Sequence, residues 1–100
     1  RYLYLSYNQL KKLPNTFANL FTLTVLSLSN NQLEELPNTF VNLLTLEDLY
    51  LSHNRLKELP NNFDRLTALQ RLVLDADPSI KIPEGLLALL IDRGVEISRK

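Results

Sequence analysis

Leucine alternates with polar or aromatic residues in four short segments of the chain. Each segment reads x-Leu-x-Leu-x, a period of two that is typical of a β-strand with one buried face. Stacked in parallel at about 4.8 Å, such strands would form a narrow sheet with the leucines pointing inward and the other face open to solvent. The segments are Tyr2 to Ser6, Val25 to Ser29, Asp48 to Ser52 and Arg71 to Asp75.

The four segments recur every 23 residues, and the residues between them keep the same spacing. In the second copy the strand is followed by Asn31, by the pair Leu36-Pro37 and by Phe40. The series LxxLxLxxNxLxxLPxxFxxL resembles the leucine-rich repeat in its 23-residue class. The resemblance covers nearly the whole chain, with about ten fixed positions in three successive copies.

This resemblance implies an α/β fold, a curved leucine-rich repeat solenoid. A short parallel β-sheet would line its concave face, and short helical or 3₁₀ turns would form its convex face. We expect one domain over residues 1–100. Because Arg1 stands in mid-repeat and no Met precedes it, we also expect the chain to be a fragment of a longer protein. The predicted repeats span about 1–22, 23–45, 46–68 and 69–91.

Three columns of side chains are predicted to hold successive repeats together. An Asn amide can both donate and accept hydrogen bonds, so a column of Asn at the strand ends would satisfy buried backbone groups. On the convex side, Phe residues are expected to stack as a spine, with a Leu one helical turn later. The columns are Asn8, Asn31 and Asn54; Phe17, Phe40 and Phe63; and Leu20, Leu43 and Leu66.

The fourth copy departs from the pattern and predicts the end of the array. A helix is expected to begin at Pro83 and to end at Gly94, where Gly supplies the left-handed stop. Ile97 falls one sequence period after Leu74 and predicts a last strand. Helix and strand together would form a carboxy-terminal cap over about 83–100 that shields the last leucine layer.

Charge and cysteine content bear on the partner and the compartment. Lys plus Arg equals Asp plus Glu at 11 each, so no net field would draw the chain to nucleic acid or to an anionic membrane. The sequence has no Cys, whereas extracellular leucine-rich repeat proteins usually carry disulfide-bonded flanks. We therefore expect a cytoplasmic location, or the host-cell cytosol for a secreted bacterial effector. The longest apolar run, residues 86–91, is far too short to cross a bilayer.

Catalytic and metal sites are not predicted. Ser52, His53 and Asp75 are the residue types of a hydrolytic triad, but serine recurs in the same column at Ser6 and Ser98 and so belongs to the repeat. One His and no Cys are too few ligands for a metal site, and two Gly provide no phosphate-binding loop. We expect a non-enzymatic protein without a cofactor.

Tyrosine stands out. All four Tyr fall on solvent-facing columns of the predicted concave face. Tyr offers a large, stiff, amphipathic contact area at low rotamer cost, which suits protein interfaces. The alternative is that strands simply favour Tyr. The predicted partner-binding face is aromatic at its amino end and mixed in charge toward its carboxy end, and comprises Tyr2, Tyr4, Tyr7, Val25, Ser27, Asp48, Tyr50, His53, Arg55, Arg71, Val73 and Asp75.

A gap between two tyrosine rings is the predicted centre of this face. Tyr4 and Tyr50 share one column at about 10 Å, with the small residue Ser27 between them. Such a gap could receive a partner side chain. A second candidate is an apolar patch on the convex side, formed by Phe21 and Leu44.

The resemblance also implies a use. Such arrays serve intracellular signalling scaffolds, and similar ones occur in effector proteins that intracellular bacteria deliver into host cells. We therefore expect a module that binds another protein, and no nucleic acid, membrane or small-molecule substrate. Three alternatives stay open: an effector or regulator that inhibits its partner by covering it, the substrate-recognition arm of a larger enzyme such as a ligase, and a structural spacer.

Overall fold

The computed structural model describes residues 1–20, 22–60, 62–74 and 80–99. Within these residues, five β-strands follow one another in sequence order in a single sheet, and neighbouring strands pair in parallel. The strands are β1 (Tyr2–Tyr4), β2 (Val25–Ser27), β3 (Asp48–Tyr50), β4 (Arg71–Leu74) and β5 (Glu96–Arg99).

The first four strands pair at the period of the sequence. Leu3 lies beside Leu26, Leu26 beside Leu49, and Leu49 beside Leu72, so each leucine pairs with its equivalent in the next repeat. The three inner leucines are fully buried, at 0% exposure. Because every second side chain of a strand points to the same face, the whole leucine set faces the core. The predicted parallel sheet with inward leucines is confirmed.

The opposite side of the first three repeats is built from 3₁₀ helices. In the second repeat the amide of Phe40 donates to Pro37 O (2.9 Å) and that of Leu43 to Phe40 O (3.2 Å). The amide of Leu46 then donates to Leu43 O (3.2 Å). A 3₁₀ helix has three residues per turn, so the spacing Pro-x-x-Phe-x-x-Leu-x-x-Leu places Phe and Leu on one face. The predicted convex turns are confirmed as 3₁₀ helices at Asn15–Asn19, Asn38–Asn42 and Phe63–Arg65.

Successive repeats are spaced more widely on the 3₁₀ side of the array than in the sheet. The rings of Phe17 and Phe40 stack with centroids 6.4 Å apart and planes 8° from parallel. Paired strands lie only about 4.8 Å apart. Because the layers are spaced more widely behind than in front, the array bends toward the sheet. The sheet therefore lines the concave face.

The leucine column beside the aromatic spine is buried only in the inner repeats. Leu43 and Leu66 are 0% and 1% exposed, but Leu20 is 43% exposed. Leu20 lies in the first repeat and has a neighbouring layer on one side only. Leu20 is therefore the exposed member of this column.

In the asparagine column, Asn31 and Asn54 each bond their repeat to the one before it, as predicted. Asn31 accepts a hydrogen bond from the amide of Leu10 through Oδ1 (3.1 Å). Its Nδ2 donates to Leu5 O (2.9 Å) and Leu28 O (3.0 Å). Asn54 makes the same set of bonds one repeat later. Each side chain thus satisfies backbone groups of two repeats at once.

The helix α1 (Leu86–Asp92) begins later than predicted. Pro83 belongs to a turn in which its carbonyl accepts the amide of Leu86 (3.1 Å). Gly85, between them, has a φ of 79°. A residue in this left-handed region cannot continue a right-handed helix, so α1 starts at Leu86 and not at Pro83.

The predicted stop at Gly94 is confirmed. Gly94 has a φ of 84°, and its amide donates to Ile91 O (2.9 Å). The amide of Val95 reaches back to Leu90 O (2.9 Å). These two bonds form a Schellman motif. Its usual hydrophobic contact is supplied by Leu90 and Val95, which are 0% and 6% exposed in the common core.

The last strand pairs at a longer offset than predicted. Ile97 lies beside Leu72 and Arg99 beside Leu74, so the expected match of Ile97 with Leu74 is wrong by two positions. An α-helix rises about 1.5 Å per residue and a 3₁₀ helix about 2.0 Å. The seven residues of α1 therefore span about the length of the five-residue 3₁₀ helices in the first two repeats, so the change of helix type fits the two extra positions.

Truncation of a central leucine should destabilise the array. Leu49→Ala removes a fully buried side chain from an inner layer and should lower the free energy of unfolding by roughly 2 to 5 kcal/mol. The measurement is a urea melt of both proteins. Leu44→Ala is the matched control, because Leu44 is 50% exposed, and should change stability by less than about 0.5 kcal/mol. Coincident melts for Leu49→Ala and the unaltered chain would contradict the packing described above.

Replacing a ladder asparagine by aspartate tests the hydrogen bonds. Asn31→Asp removes the Nδ2 donor and sets a carboxylate against the carbonyls of Leu5 and Leu28, which should cost about 1 to 3 kcal/mol at neutral pH. The repulsion raises the pKa of the new carboxyl in the folded state. The folded chain then binds its proton more tightly than the unfolded chain, so the loss should shrink on acidification.

The exposed substitution Asn42→Asp provides the control for this variant. Urea melts from acid to neutral pH should show a growing deficit for Asn31→Asp relative to Asn42→Asp. A pH-independent difference would mean that the amide donor is not what the ladder requires.

Candidate protein-binding face

The strand register places the open-face residues of the sheet in two rows. Side chains alternate along each strand, so those flanking the inward leucines share the concave face. The first row begins at Tyr2 and the second at Tyr4, and each row crosses all five strands. The first row is Tyr2, Val25, Asp48, Arg71 and Glu96, and the second is Tyr4, Ser27, Tyr50, Val73 and Ser98.

The amino end of the face is aromatic and exposed. The rings of Tyr2 and Tyr4 lie 6.5 Å apart at 59° to each other, a tilted aromatic pair. Their residues are 69% and 65% exposed, and Tyr7, which follows the strand, is 81% exposed. Rings this open to water contribute little to the core. Their surface is available for contact.

The predicted gap between Tyr4 and Tyr50 is present in the register. Tyr4 lies beside Ser27, and Ser27 beside Tyr50. The two tyrosines are therefore two strand spacings apart, about 10 Å. Ser27 is only 9% exposed, and its hydroxyl is hydrogen-bonded to that of Ser6. Ser27 therefore forms the polar base of the gap between the two rings and offers little surface for contact itself.

Toward the carboxy end, Arg71 joins its neighbours in both rows. Its Nη1 donates to the hydroxyl of Tyr50 (3.5 Å), and its Nη2 forms an ion pair with Glu96 Oε2 (3.3 Å). The hydrogen bond with Tyr50 and then the charge of Glu96 raise the pKa of Arg71 above its ordinary value. The guanidinium is therefore a permanent cation. It links the aromatic ring of Tyr50 to a carboxylate.

Val73 is a second predicted face residue, besides Ser27, that is largely covered, at 7% exposure. It is a short side chain on an inner strand, with Tyr50 on one side and Ser98 on the other, so it offers little surface. Asp75 lies outside the described residues.

The rim of the face has an unusual backbone that the leucine pattern did not predict. Tyr7, Asn30 and His53 occupy equivalent positions after the strands, with φ of 59°, 60° and 59°. The amide of Tyr7 donates to Ser29 O (3.1 Å), so its backbone is held by the next repeat. Asn tolerates this left-handed conformation, whereas a bulky residue such as Tyr rarely adopts it. The Asn at position 30 was the sequence feature that could have predicted this left-handed backbone.

The remaining predicted residues flank these groups. Val25 and Asp48 are half-buried in the first row, between the tyrosine pair and Arg71. His53 and Arg55 are exposed along the rim. The face therefore passes from aromatic to mixed charge, from β1 to β5, as its residue order predicts.

Ser52 of the candidate triad is held within the repeat, and Asp75 lies outside the described residues. The hydroxyl of Ser52 is hydrogen-bonded to that of Ser29 (3.2 Å), and Ser52 is 8% exposed, as a structural repeat residue would be. Across the described ranges of the chain, no group of three His, Cys, Asp or Glu residues is placed to hold a metal ion. None of the helices in those ranges has the length and apolar character to span a bilayer.

On the convex side, Leu44 is 50% exposed, as the second candidate patch requires. Its predicted partner Phe21 lies outside the described residues.

Comparison with known proteins agrees with this architecture. The family model of the leucine-rich repeat region matches residues 1–90. A leucine-rich repeat protein of Leptospira interrogans has a similar solved structure, with a TM-score of 0.80 and 36% sequence identity over 98% of this chain. The chain spans only 25% of that protein's length. No curated protein matches the sequence. With its regular repeats, its asparagine ladder and this match over most of its length, the chain belongs to the leucine-rich repeat family.

Proposed function

We propose that this chain is a non-enzymatic module that binds a protein partner through its concave face, with Tyr4, Tyr50 and Tyr7 as the main contacts. The observation that carries the proposal is the exposure of aromatic rings on that face, 65% for Tyr4 and 81% for Tyr7. A Tyr with most of its surface in water stabilises the fold little, but it can bury a large rigid area against a partner.

The backbone of Tyr7 supports a binding role for the rim. The equivalent position in the second repeat holds Asn30 at nearly the same φ. Asn is a residue type that this left-handed conformation favours. Tyr at this position costs folding energy and buries almost no surface of its own. Strained residues that neighbouring structure holds in place are frequent at binding sites.

The Tyr50 side of the gap supplies the means to orient a partner. Tyr50 is half-buried and its hydroxyl accepts a bond from Arg71, which limits the ring's freedom before binding. A ring that is already positioned loses less entropy when a partner docks. Arg71 and Glu96 are each exposed, so a polar group of the partner can exchange bonds with that pair.

The two functional alternatives use the same face. An inhibitor that acts by occlusion and the recognition arm of a larger enzyme would both bind a protein there, and they differ in what happens to the bound protein. The chain spans a quarter of a longer leucine-rich repeat protein, and this makes an attached segment with its own activity compatible with the proposal. Measuring whether the bound partner is inhibited or modified separates the two.

The proposal is tested by parallel affinity captures and then by calorimetry. The baits are the unaltered chain, Tyr50→Ala and Glu34→Ala, where Glu34 is an exposed residue outside the two concave rows. The partner is a protein that the unaltered chain and Glu34→Ala both retain, whatever the result with Tyr50→Ala. With that protein purified, Tyr50→Ala should weaken binding by about 2 kcal/mol, or about 30-fold. Because Tyr50 is half-buried and hydrogen-bonded to Arg71, the melting temperature of Tyr50→Ala should fall by several degrees, so affinity is measured well below both transitions.

Undiminished affinity for Tyr50→Ala would contradict the proposed centre of the face. It would transfer the site to the convex surface around Leu44 or to the cap formed by α1.

Tyr7→Asn separates binding from folding. The substitution copies the residue found at position 30, so it should relieve the left-handed conformation and raise the free energy of unfolding by up to about 1 kcal/mol. It also removes an exposed ring from the rim, so affinity for the captured partner should fall. Urea melts and calorimetry on the same samples give both quantities. A variant that is more stable and binds equally well would remove Tyr7 from the proposed site.

A further inference from the structure

We propose that the concave face receives an arginine side chain of its protein partner, held in a trough above β2. The trough is the space over Val25 and Ser27, between the side chains that β1 and β3 present on either side. This inference rests on the proposed binding function and deepens it, because it names the chemistry of the group that the partner inserts.

Small side chains on β2 form the floor of the trough. Val25 is half-buried, and Ser27 is largely covered, with its hydroxyl hydrogen-bonded to that of Ser6. β2 pairs with a strand on each side, so both walls of the trough belong to the same sheet. Two small residues on one face of a strand leave a channel about 7 Å long, which can accommodate the methylene stem of a long side chain.

The walls of the trough are aromatic on one side and both aromatic and acidic on the other. They are Tyr2 and Tyr4 from β1, and Asp48 and Tyr50 from β3. Tyr4 and Tyr50 are two strand spacings apart, so a group held midway lies about 5 Å from each column. A cation is attracted by an aromatic ring within about 6 Å of its centroid. The spacing therefore suits a cation between the two tyrosines.

The charges of the first concave row are unbalanced at the wall of the trough. Arg71 stands between two carboxylates of this row, Asp48 on β3 and Glu96 on β5. Its guanidinium forms an ion pair with Glu96 (3.3 Å) and donates to the hydroxyl of Tyr50 (3.5 Å). The row thus holds one carboxylate more than it holds guanidinium groups. The excess negative charge lies at Asp48, beside Val25.

An arginine side chain matches this combination of rings and charge. A guanidinium is attracted both by aromatic faces and by a carboxylate, whereas an acidic group would be repelled by Asp48. An apolar ring would fit between the tyrosines, but it would cover the half-buried Asp48 without pairing its charge. Lysine carries a compact charge and lacks the flat guanidinium that stacks on a ring and bonds a carboxylate through two N–H groups.

The strand register also gives the direction of the arginine. Asp48 lies diagonally across from Ser27, at about 7 to 8 Å, a separation that long side chains can bridge. The guanidinium would lie over Ser27, between the rings of Tyr4 and Tyr50. One of its edges would then face the Asp48 carboxylate, and its stem would cover Val25.

Two peptides that differ in the charge of one side chain test the proposal. The isotope-labelled chain is titrated with acetyl-Gly-Arg-Gly-amide and with its citrulline counterpart, which has nearly the same shape but is neutral, and the backbone amide shifts are followed by NMR. We expect saturable shifts at the amides of β2 and β3, with a Kd of roughly 1 to 20 mM for the arginine peptide. Binding of the citrulline peptide should be about fivefold weaker or less detectable still.

A matched pair of variants assigns the contact to Asp48. Asp48→Asn should weaken the arginine peptide about fivefold and leave the citrulline peptide unchanged. Glu34→Gln, which neutralises an exposed carboxylate outside the two concave rows, should leave both peptides unchanged.

Three results of the titrations would overturn the proposal. They are equal affinity for the two peptides, shifts that lie away from β2 and β3, and no saturable shift with the arginine peptide up to about 100 mM. Saturable binding of acetyl-Gly-Glu-Gly-amide around Arg71, without binding of the arginine peptide, would instead assign the face to an acidic group of the partner.

Calorimetry with the captured protein separates this inference from the proposed function. We expect both Tyr50→Ala and Asp48→Asn to weaken binding, with a smaller loss for Asp48→Asn at high salt, because salt screens the charge pair. If Tyr50→Ala weakens binding and Asp48→Asn does not, the concave site stands and the arginine is overturned. If neither variant weakens binding, the proposed function fails and this inference fails with it.

Discussion

The fold depends on satisfying the backbone groups that the strand ends leave unpaired between repeats. Where each strand turns away from the sheet, carbonyl and amide groups are buried without a sheet partner, and a single Asn amide bonds to both kinds at once. Because Asn31 and Asn54 each reach into the repeat before them, they fix the register between layers. Leucine packing then follows from that register, since a slip of one residue would turn every Leu out of the core.

A second constraint is the length of the path behind the sheet. Each repeat must return the chain to the next strand over a fixed distance, and a 3₁₀ helix with three residues per turn does so with Phe and Leu on one face. The fourth repeat uses an α-helix, which rises less per residue, and so needs two more residues for the same distance. The sequence period is a fixed number of residues, whereas the quantity that stays constant between repeats of the structure is the distance that the chain covers behind the sheet. This is why the strand register of the first four strands was predictable and that of β5 was not.

The pattern predicted the repeats, the inward leucines, the asparagine ladder and the stop at Gly94, because each depends on a residue type with one dominant physical role. It was less informative on the concave face. The alternation of side chains shows which residues face the solvent side of the sheet, but not how much of each is exposed there. Val73 and Ser27 are largely covered on inner strands, Val73 between Tyr50 and Ser98 and Ser27 between Tyr4 and Tyr50. The left-handed backbone at Tyr7 depends on the turn that the ladder imposes, which no hydrophobic period reports.

Once leucine, asparagine and phenylalanine have fixed the solenoid, the most exposed residues of the concave face, Tyr2 and Tyr4, are under few folding constraints. Exposed positions on a sheet tolerate many side chains at small cost in folding stability. The residue found at such a position therefore reflects a role other than folding. Tyr7 goes further, because at its position the fold favours a different residue, the one found at Asn30. An exposed aromatic side chain that is unfavourable to its own backbone supports the proposal that the rim at Tyr7 contacts a partner.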